Sequence, residues 1–237
     1  MTELLYLKDS YLQDFEATVT NVEGKNVILD KTAFYPESGG QIDDRGKLVR
    51  TPDGQVFQVL MVKKLGKEIL HEVDVAGLKV GDKIKGYLDW TRRYKLMRMH
   101  TACHVLSTLI NKETGALITG NQLRTDIAHI DFSGPEVKDR YKEFEQKANE
   151  ILASNLSVEI KFMPYKEAMK IPAITKLAHV LPPTIPELRI VSIGDFDVQA
   201  DGGTHVKNTK ECGQIEITEF ENKGKERKRV YFVLKNG

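Results

Sequence analysis

The sequence predicts an α+β protein in which a small β-barrel precedes an α+β half. Two observations carry this reading. Through the first 88 residues, short β-rich runs follow one another around glycine turns, with no long helical pattern between them. After Asp89 the apolar residues take up the spacing of a helix. The boundary therefore falls near Asp89 and Trp90, giving domains 1–89 and 90–237. A chain of 237 residues, 41% hydrophobic and 29% charged, has room for two such cores.

The barrel half is read from its hairpins. EATVTNVEGKNVILD, from Glu16 to Asp30, gives two β-rich runs around Glu23-Gly24-Lys25. The stretch from Gly54 to Asp74 repeats the design around Leu65-Gly66-Lys67. From Gly81 to Asp89, Ile84, Gly86 and Leu88 alternate with charged or polar partners. Several short strands joined at glycines suggest a small closed barrel. In the second half, Leu96, Met99, Cys103, Leu106 and Ile110 form a helical stripe. Ser133-Gly-Pro-Glu136 reads as a helix start with a capping box, and Val137, Tyr141, Phe144, Ala148 and Ile151 as the buried face that follows. Strand candidates are AHIDF, SVEIKFM, LRIVSI, GQIEITEF and KRVYFVL; the Pro-rich stretch from Ile171 to Pro186 reads as a loop. The mixture is α+β.

The formal net charge of +1 provides no global field for nucleic acid, so RNA would have to be met by local patches. No apolar run approaches the length of a membrane span. The N-terminal stretch lacks the basic-then-apolar layout of a secretion signal. Two cysteines, Cys103 and Cys212, argue against a disulfide framework. The expectation is a cytoplasmic protein with no membrane partner.

MHTACHVLSTL, from Met99 to Leu109, sets His100 and His104 four residues apart. On a helix such a pair projects about 40° apart and can share one ion. The glutamate base of a His-Glu-x-x-His metalloprotease is absent. Cys103 lies inside the apolar stripe and reads as a small buried hydrophobe. A metal needs further ligands. Among His71, His129, His179 and His205, the last stands out, because Asp201-Gly-Gly-Thr-His205 can make a tight turn. That turn could bring the Asp201 carboxylate and the His205 imidazole to one point, and both suit Zn2+. The glycines of ESGGQ have no following Lys-Ser/Thr, so they form no nucleotide P-loop and read as a turn. Arg92, Arg93, Lys95 and Arg98 crowd the start of the histidine helix, where positive charge opposes the helix dipole. RNA phosphate could compensate it, and so could nearby acids. KGKERKR, from Lys223 to Arg229, reads as a solvated hairpin tip. No Ser-His-Asp or Cys-His dyad is legible, so no covalent mechanism is expected.

MRMHTACHVL with GGTHVKNTKECG resembles the paired His-x-x-x-His and Cys-x-x-x-His motifs of alanyl-tRNA synthetase editing domains. LDKTAFYPESGGQIDDRG, from Leu29 to Gly46, resembles the glycine-rich signature of that family, and DWTRRYKLMR its lead-in to the zinc helix. The motifs stand in family order from Leu29 to Gly213. The chain lacks room for a synthetase core as well, so the resemblance is to the free-standing alanyl-tRNA editing family AlaX, in its medium form AlaX-M. That resemblance implies a β-barrel followed by an editing domain of the threonyl/alanyl type. It implies zinc ligands at His100, His104 and His205, with Asp201 standing where the family has cysteine. A carboxylate binds zinc more weakly than a thiolate and neutralises the same charge. Cys212 lies beyond the motif. The resemblance also makes Gly39, Gly40 and Gln41 a wall of the aminoacyl pocket and sets Thr32 against the amino-acid side chain.

The implied activity is trans-editing. An aminoacyl-tRNA deacylase would hydrolyse the ester of mischarged tRNA(Ala), chiefly Ser-tRNA(Ala), with Gly-tRNA(Ala) beside it. Zn2+ could polarise the carbonyl, position the amino group or activate water. Arg92, Arg93, Lys95 and Arg98 are the candidate RNA contacts. Two other readings stand beside it: a zinc hydrolase of a small ester or amide, and a non-catalytic RNA-binding module with a closed structural zinc.

Overall fold

The structure is a computed structural model that describes residues 1–133, 138–171, 174, 186–224 and 227–235. By its internal contacts the chain divides into Met1–Met97 and Arg98–Gly237. The division falls inside a single helix, α1 (Trp90–Thr114).

The first unit is a barrel. After a two-residue strand β1 (Glu3–Leu4), the chain runs through β2 (Asp14–Glu23), β3 (Asn26–Leu29), β4 (Lys31–Thr32), β5 (Gly46–Arg50), β6 (Val56–Leu65), β7 (Glu68–Val73) and β8 (Lys83–Leu88). The barrel closes in the order β2-β3-β7-β6-β5-β8, while β1 pairs in parallel with β4. Alternation does the work: Phe15, Ala17 and Val19 of β2, Phe57 and Val59 of β6, Ile69 and Val73 of β7, and Ile84 and Leu88 of β8 point inward into one core. Both expected hairpins form, with Gly24 and Gly66 at positive φ between their strands. The first turns of α1 belong to this unit. Arg93 is fully buried there, its guanidinium bonded to the Asp44 carboxylate (Nε to Oδ1 3.1 Å) and to the carbonyls of Ser10 (3.0 Å) and Ala33 (2.6 Å).

The second unit contains the rest of α1, then β9 (Leu117–Leu123), β10 (Ala128–Ser133), α2 (Tyr141–Ala153), β11 (Val158–Pro164), the short α3 (Tyr165–Ala168), β12 (Glu187–Ile193), β13 (Asp197–Ala200), β14 (Gln214–Asn222) and β15 (Lys228–Lys235). Two antiparallel sheets result, ordered β14-β15-β10-β9 and β11-β12-β13. The five expected strands are present, and β9 and β13 are additional. Helix α2 buries Phe144, Ala148 and Leu152 and covers the edge strand β14. Asn149 brackets Ile215 with two bonds of 2.9 and 2.7 Å, and Glu145 accepts from the Ile217 N–H at 2.6 Å. Polar side chains on the helix thus satisfy backbone groups at a sheet edge.

One expectation needs adjusting. Helix α1 carries the expected apolar stripe, yet every position from Met99 to Ile110 is buried, on all its sides. Thr101, His104, Ser107 and Thr108 occupy sides that the apolar stripe does not, and each has a polar partner. Of the expected capping box, Ser133 ends β10, whereas Glu136 and Val137 lie outside the described residues, as do His179, most of the Pro-rich stretch and the centre of KGKERKR.

Candidate metal centre

Helix α1 places His100 and His104 one turn apart, and the turn after β13 delivers Asp201 and His205. One ligand atom from each of these four residues lies within 4.8 Å of all the others. The imidazole rings form a tight triangle, with centroids 4.3 Å (His100–His205), 4.8 Å (His104–His205) and 5.1 Å (His100–His104) apart. All three rings are buried, and Asp201 is half-buried. Asp201 Oδ2 accepts from the Gly203 N–H at 2.6 Å and faces His205 Nε2 at 3.0 Å, while Oδ1 stands 3.6 Å from His100 Nε2.

The glycines of this turn have separate jobs. A Cβ on Gly203 would lie 2.1 Å from His100 Cε1 and 2.3 Å from its Nδ1, so only a hydrogen fits there. A Cβ on Gly202 meets nothing within 4 Å.

Charges in the cluster oppose one another. Burial pushes the imidazoles of His100 and His205 down, the latter to about 4, so both are neutral with a lone pair available. For Asp201 burial acts upward, but the histidines around it outweigh that and hold the carboxyl well below its usual range. Arg189 donates to the Asp201 carbonyl at 2.7 Å, with the same nitrogen 3.7 Å from the carboxylate. At His104 burial acts downward, but the Asp197 carboxylate outweighs it and raises the imidazole. Three imidazoles and a carboxylate, converging without a thiolate, form a donor set suited to a borderline divalent cation such as zinc.

A further shell holds the histidines. His104 Nδ1 is 3.0 Å from the Asp197 carboxylate, which also accepts from Thr108 Oγ1 (2.9 Å) and Gln199 Nε2 (3.0 Å). His205 Nδ1 is 3.1 Å from Thr101 Oγ1. Asp197 and Thr101 escaped the sequence reading; the i, i+4 spacing of Asp197 with Asp201 was the available signal.

The other candidates lie in the barrel unit. Ser38-Gly39-Gly40-Gln41 closes a two-residue turn, with bonds of 3.1 and 2.9 Å between Ser38 and Gln41 and φ of 56° and 85° at the glycines, a geometry that demands glycine. Gln41 is buried. Thr32 is fully buried too, its Oγ1 2.9 Å from His71 Nε2 and accepting from the Phe34 N–H at 3.1 Å. His71 Nδ1 faces the Val27 carbonyl at 3.2 Å and must carry the proton, so Nε2 accepts from the threonine hydroxyl. Thr32 retains one lone pair.

Of the basic residues, Arg93 is removed from any RNA surface, because its buried guanidinium is committed to Asp44; nearby acid, the alternative to phosphate, compensates its charge. Arg92 donates to the Asp43 carbonyl at 2.9 Å, and Arg98 to the Cys212 carbonyl at 2.9 Å; only Lys95 of the four is exposed.

Comparison with known proteins agrees with both units. A family model for class II (A) tRNA synthetases matches residues 4–92, and one for the threonyl and alanyl tRNA synthetase second additional domain matches residues 188–231. Both matches fit an alanyl-tRNA editing domain. The alanyl-tRNA editing protein AlaX-M of Methanosarcina barkeri is 50% identical over 242 residues, covering 99% of each chain. That of Saccharolobus solfataricus is 51% identical over 237 residues, covering 99% of this chain and 100% of its own length. The alanine–tRNA ligase of Thermococcus kodakarensis is 39% identical over 226 residues, which are 93% of this chain and 24% of the ligase. The chain belongs to the AlaX-M family of alanyl-tRNA editing proteins.

Proposed function

We propose that the chain is a trans-editing deacylase that hydrolyses the aminoacyl ester of mischarged tRNA(Ala), chiefly Ser-tRNA(Ala) and also Gly-tRNA(Ala), at a zinc site held by His100, His104, His205 and Asp201. The observation behind it is the convergence of those four donors within 4.8 Å, in a chain whose relatives are named alanyl-tRNA editing proteins. Zinc held there would supply Lewis-acid chemistry to the ester, by polarising its carbonyl, positioning the amino group or activating water. The chain's own residues prepare that place. Neutral His100 and His205 keep lone pairs available, and Asp201 offsets the ion's charge. Gly203 lets the turn close against His100.

Thr32 is the proposed reader of the amino-acid side chain, and Gly39, Gly40 and Gln41 are the proposed wall of the aminoacyl pocket. With its proton given to His71, its hydroxyl can accept from a serine hydroxyl, and alanine offers nothing in return. Thr32→Val keeps the shape, and losing one neutral hydrogen bond costs on the order of 1 kcal/mol, severalfold in rate. Ser-tRNA hydrolysis should fall more than Gly-tRNA hydrolysis; an equal fall would make Thr32 a structural residue.

The principal test is deacylation of Ser-tRNA(Ala) beside Ala-tRNA(Ala), with and without chelator. Chelator-sensitive hydrolysis of the seryl ester alone is expected. Hydrolysis of free seryl esters without dependence on tRNA would favour a small-ester hydrolase. One observation favours a second reading: four protein donors can close a zinc site, and closed sites are structural. RNA binding without hydrolysis would establish that reading instead.

A further inference from the structure

We infer that Asp197 is a positioning residue for the metal centre: by accepting the Nδ1–H of His104 it fixes which nitrogen of that ring faces the ion. The inference rests on the proposed zinc site.

The argument is one of donors and acceptors. His104 Nδ1 lies 3.0 Å from Asp197 Oδ2. A carboxylate can only accept, so Nδ1 carries a proton, and Nε2 is the one ring nitrogen left to offer a lone pair to an ion. Asp197 is itself held. Its Oδ1 accepts from Thr108 Oγ1 at 2.9 Å, one helical turn along α1 from His104, and Gln199 Nε2 donates to both oxygens at 3.1 and 3.0 Å. The carboxylate is buried and cannot swing away into water. Position 197 thus joins β13 to α1 through two residues of the helix, so the strand that leads into Asp201 also sets the ring of His104.

The contrast with His205 sharpens the assignment. Its Nδ1 faces the Thr101 hydroxyl at 3.1 Å, and its Nε2 faces Asp201 at 3.0 Å. A hydroxyl both donates and accepts, so Thr101 serves either tautomer of His205. Without an ion, Nε2–H can donate to Asp201; with one, the proton can move to Nδ1 and point at Thr101. His104 has no such freedom. It is the ring set in advance for ligation, and Asp197 is the reason. A carboxylate behind a ligating imidazole also raises its basicity, and loss of such a partner typically lowers metal affinity roughly 10- to 100-fold.

The test measures zinc dissociation constants by chelator competition on the full chain, for the native protein, Asp197→Ala and Asp197→Asn. Asp197→Ala should weaken zinc roughly 10- to 100-fold. Asp197→Asn keeps an acceptor and should lose less. Cobalt substituted for zinc should show an altered visible absorption in the alanine variant, because the His104 ring is no longer held. A merely structural residue would lower the melting temperature of the metal-free protein without moving affinity or spectrum. Should neither variant fold, the native zinc-loaded protein decides the matter: nitrogen-15 NMR should find His104 protonated at Nδ1 and metal-bound through Nε2. Unchanged zinc affinity in a folded Asp197→Ala, or ligation through Nδ1, overturns the inference and leaves the zinc site standing. If the native protein takes up no zinc, both fall together.

Discussion

At Asp201 a single carboxylate faces the Gly203 N–H, the rings of His205 and His100 and the Arg189 guanidinium. If it is a ligand, Asp201→Cys should bind zinc more tightly than the native protein, because thiolate suits zinc well. Asp201→Ala should lose at least the roughly 10- to 100-fold that follows removal of an outer partner. If it only orients a histidine, Asp201→Asn should be near normal and Asp201→Cys weaker. The ranking of the zinc dissociation constants separates these cases. His71 carries a different prediction. Burial lowers its pKa from 6.5 to about 4. The unfolded chain therefore takes up a proton between those values while the folded chain does not. Its contribution to stability is complete above about pH 6.5 and is lost as pH falls toward about 4, at most about 3 kcal/mol. Urea denaturation at pH 7 and pH 5 should show a smaller pH-dependent loss in His71→Gln than in the native protein, although the variant is less stable at both. Identical losses would remove His71 from the account.

The turn between β13 and His205 works as an element because its two glycines are not equivalent. Gly203→Ala drives a methyl into His100, at 2.1 Å from Cε1, and the turn must move. Zinc affinity should fall tenfold or more, about 1.4 kcal/mol. Gly202→Ala, with nothing within 4 Å, should bind zinc normally. Equal effects from the two would show that the turn does not press on His100. This element also marks how far the sequence could be read. The four donors were legible, since His-x-x-x-His and the Asp-Gly-Gly-Thr-His turn are local patterns. Asp197 was not, because its bond to His104 joins residues 93 apart. The partner of Arg93 was not legible for the same reason: of the two compensations open to it, phosphate or a nearby acid, the acid is Asp44, 49 residues away. The barrel hairpins were legible from alternation and glycine. Strand β9 was not, because its mostly exposed and half-buried positions leave no alternating pattern. Helix α1 yielded a stripe where the structure buries every side from Met99 to Ile110.

For the whole molecule, the consequence of building the site from imidazole and carboxylate is independence from thiol chemistry. Both cysteines are buried: Cys103 lies on α1 beside His104, and Cys212 closes the turn before β14. Burial raises both thiols, Cys212 to about 12, so neither offers a thiolate at neutral pH. Neither cysteine belongs to the donor cluster. N-ethylmaleimide applied to the folded, zinc-loaded protein should therefore leave zinc content and deacylation unchanged, where a site with a cysteine ligand is open to attack. Chelator should remove the metal and the activity together. Zinc that binds only the folded chain stabilises it by about 2.7 kcal/mol at a hundredfold excess over its dissociation constant. For a chain of this length that is roughly a 5–10 °C rise in melting temperature. His104→Ala, folded but lacking one ligand, should show little of that rise at the same zinc concentration. Maleimide-treated native protein should show all of it. Release of zinc by maleimide, or an undiminished rise in His104→Ala, would place the metal elsewhere in the chain.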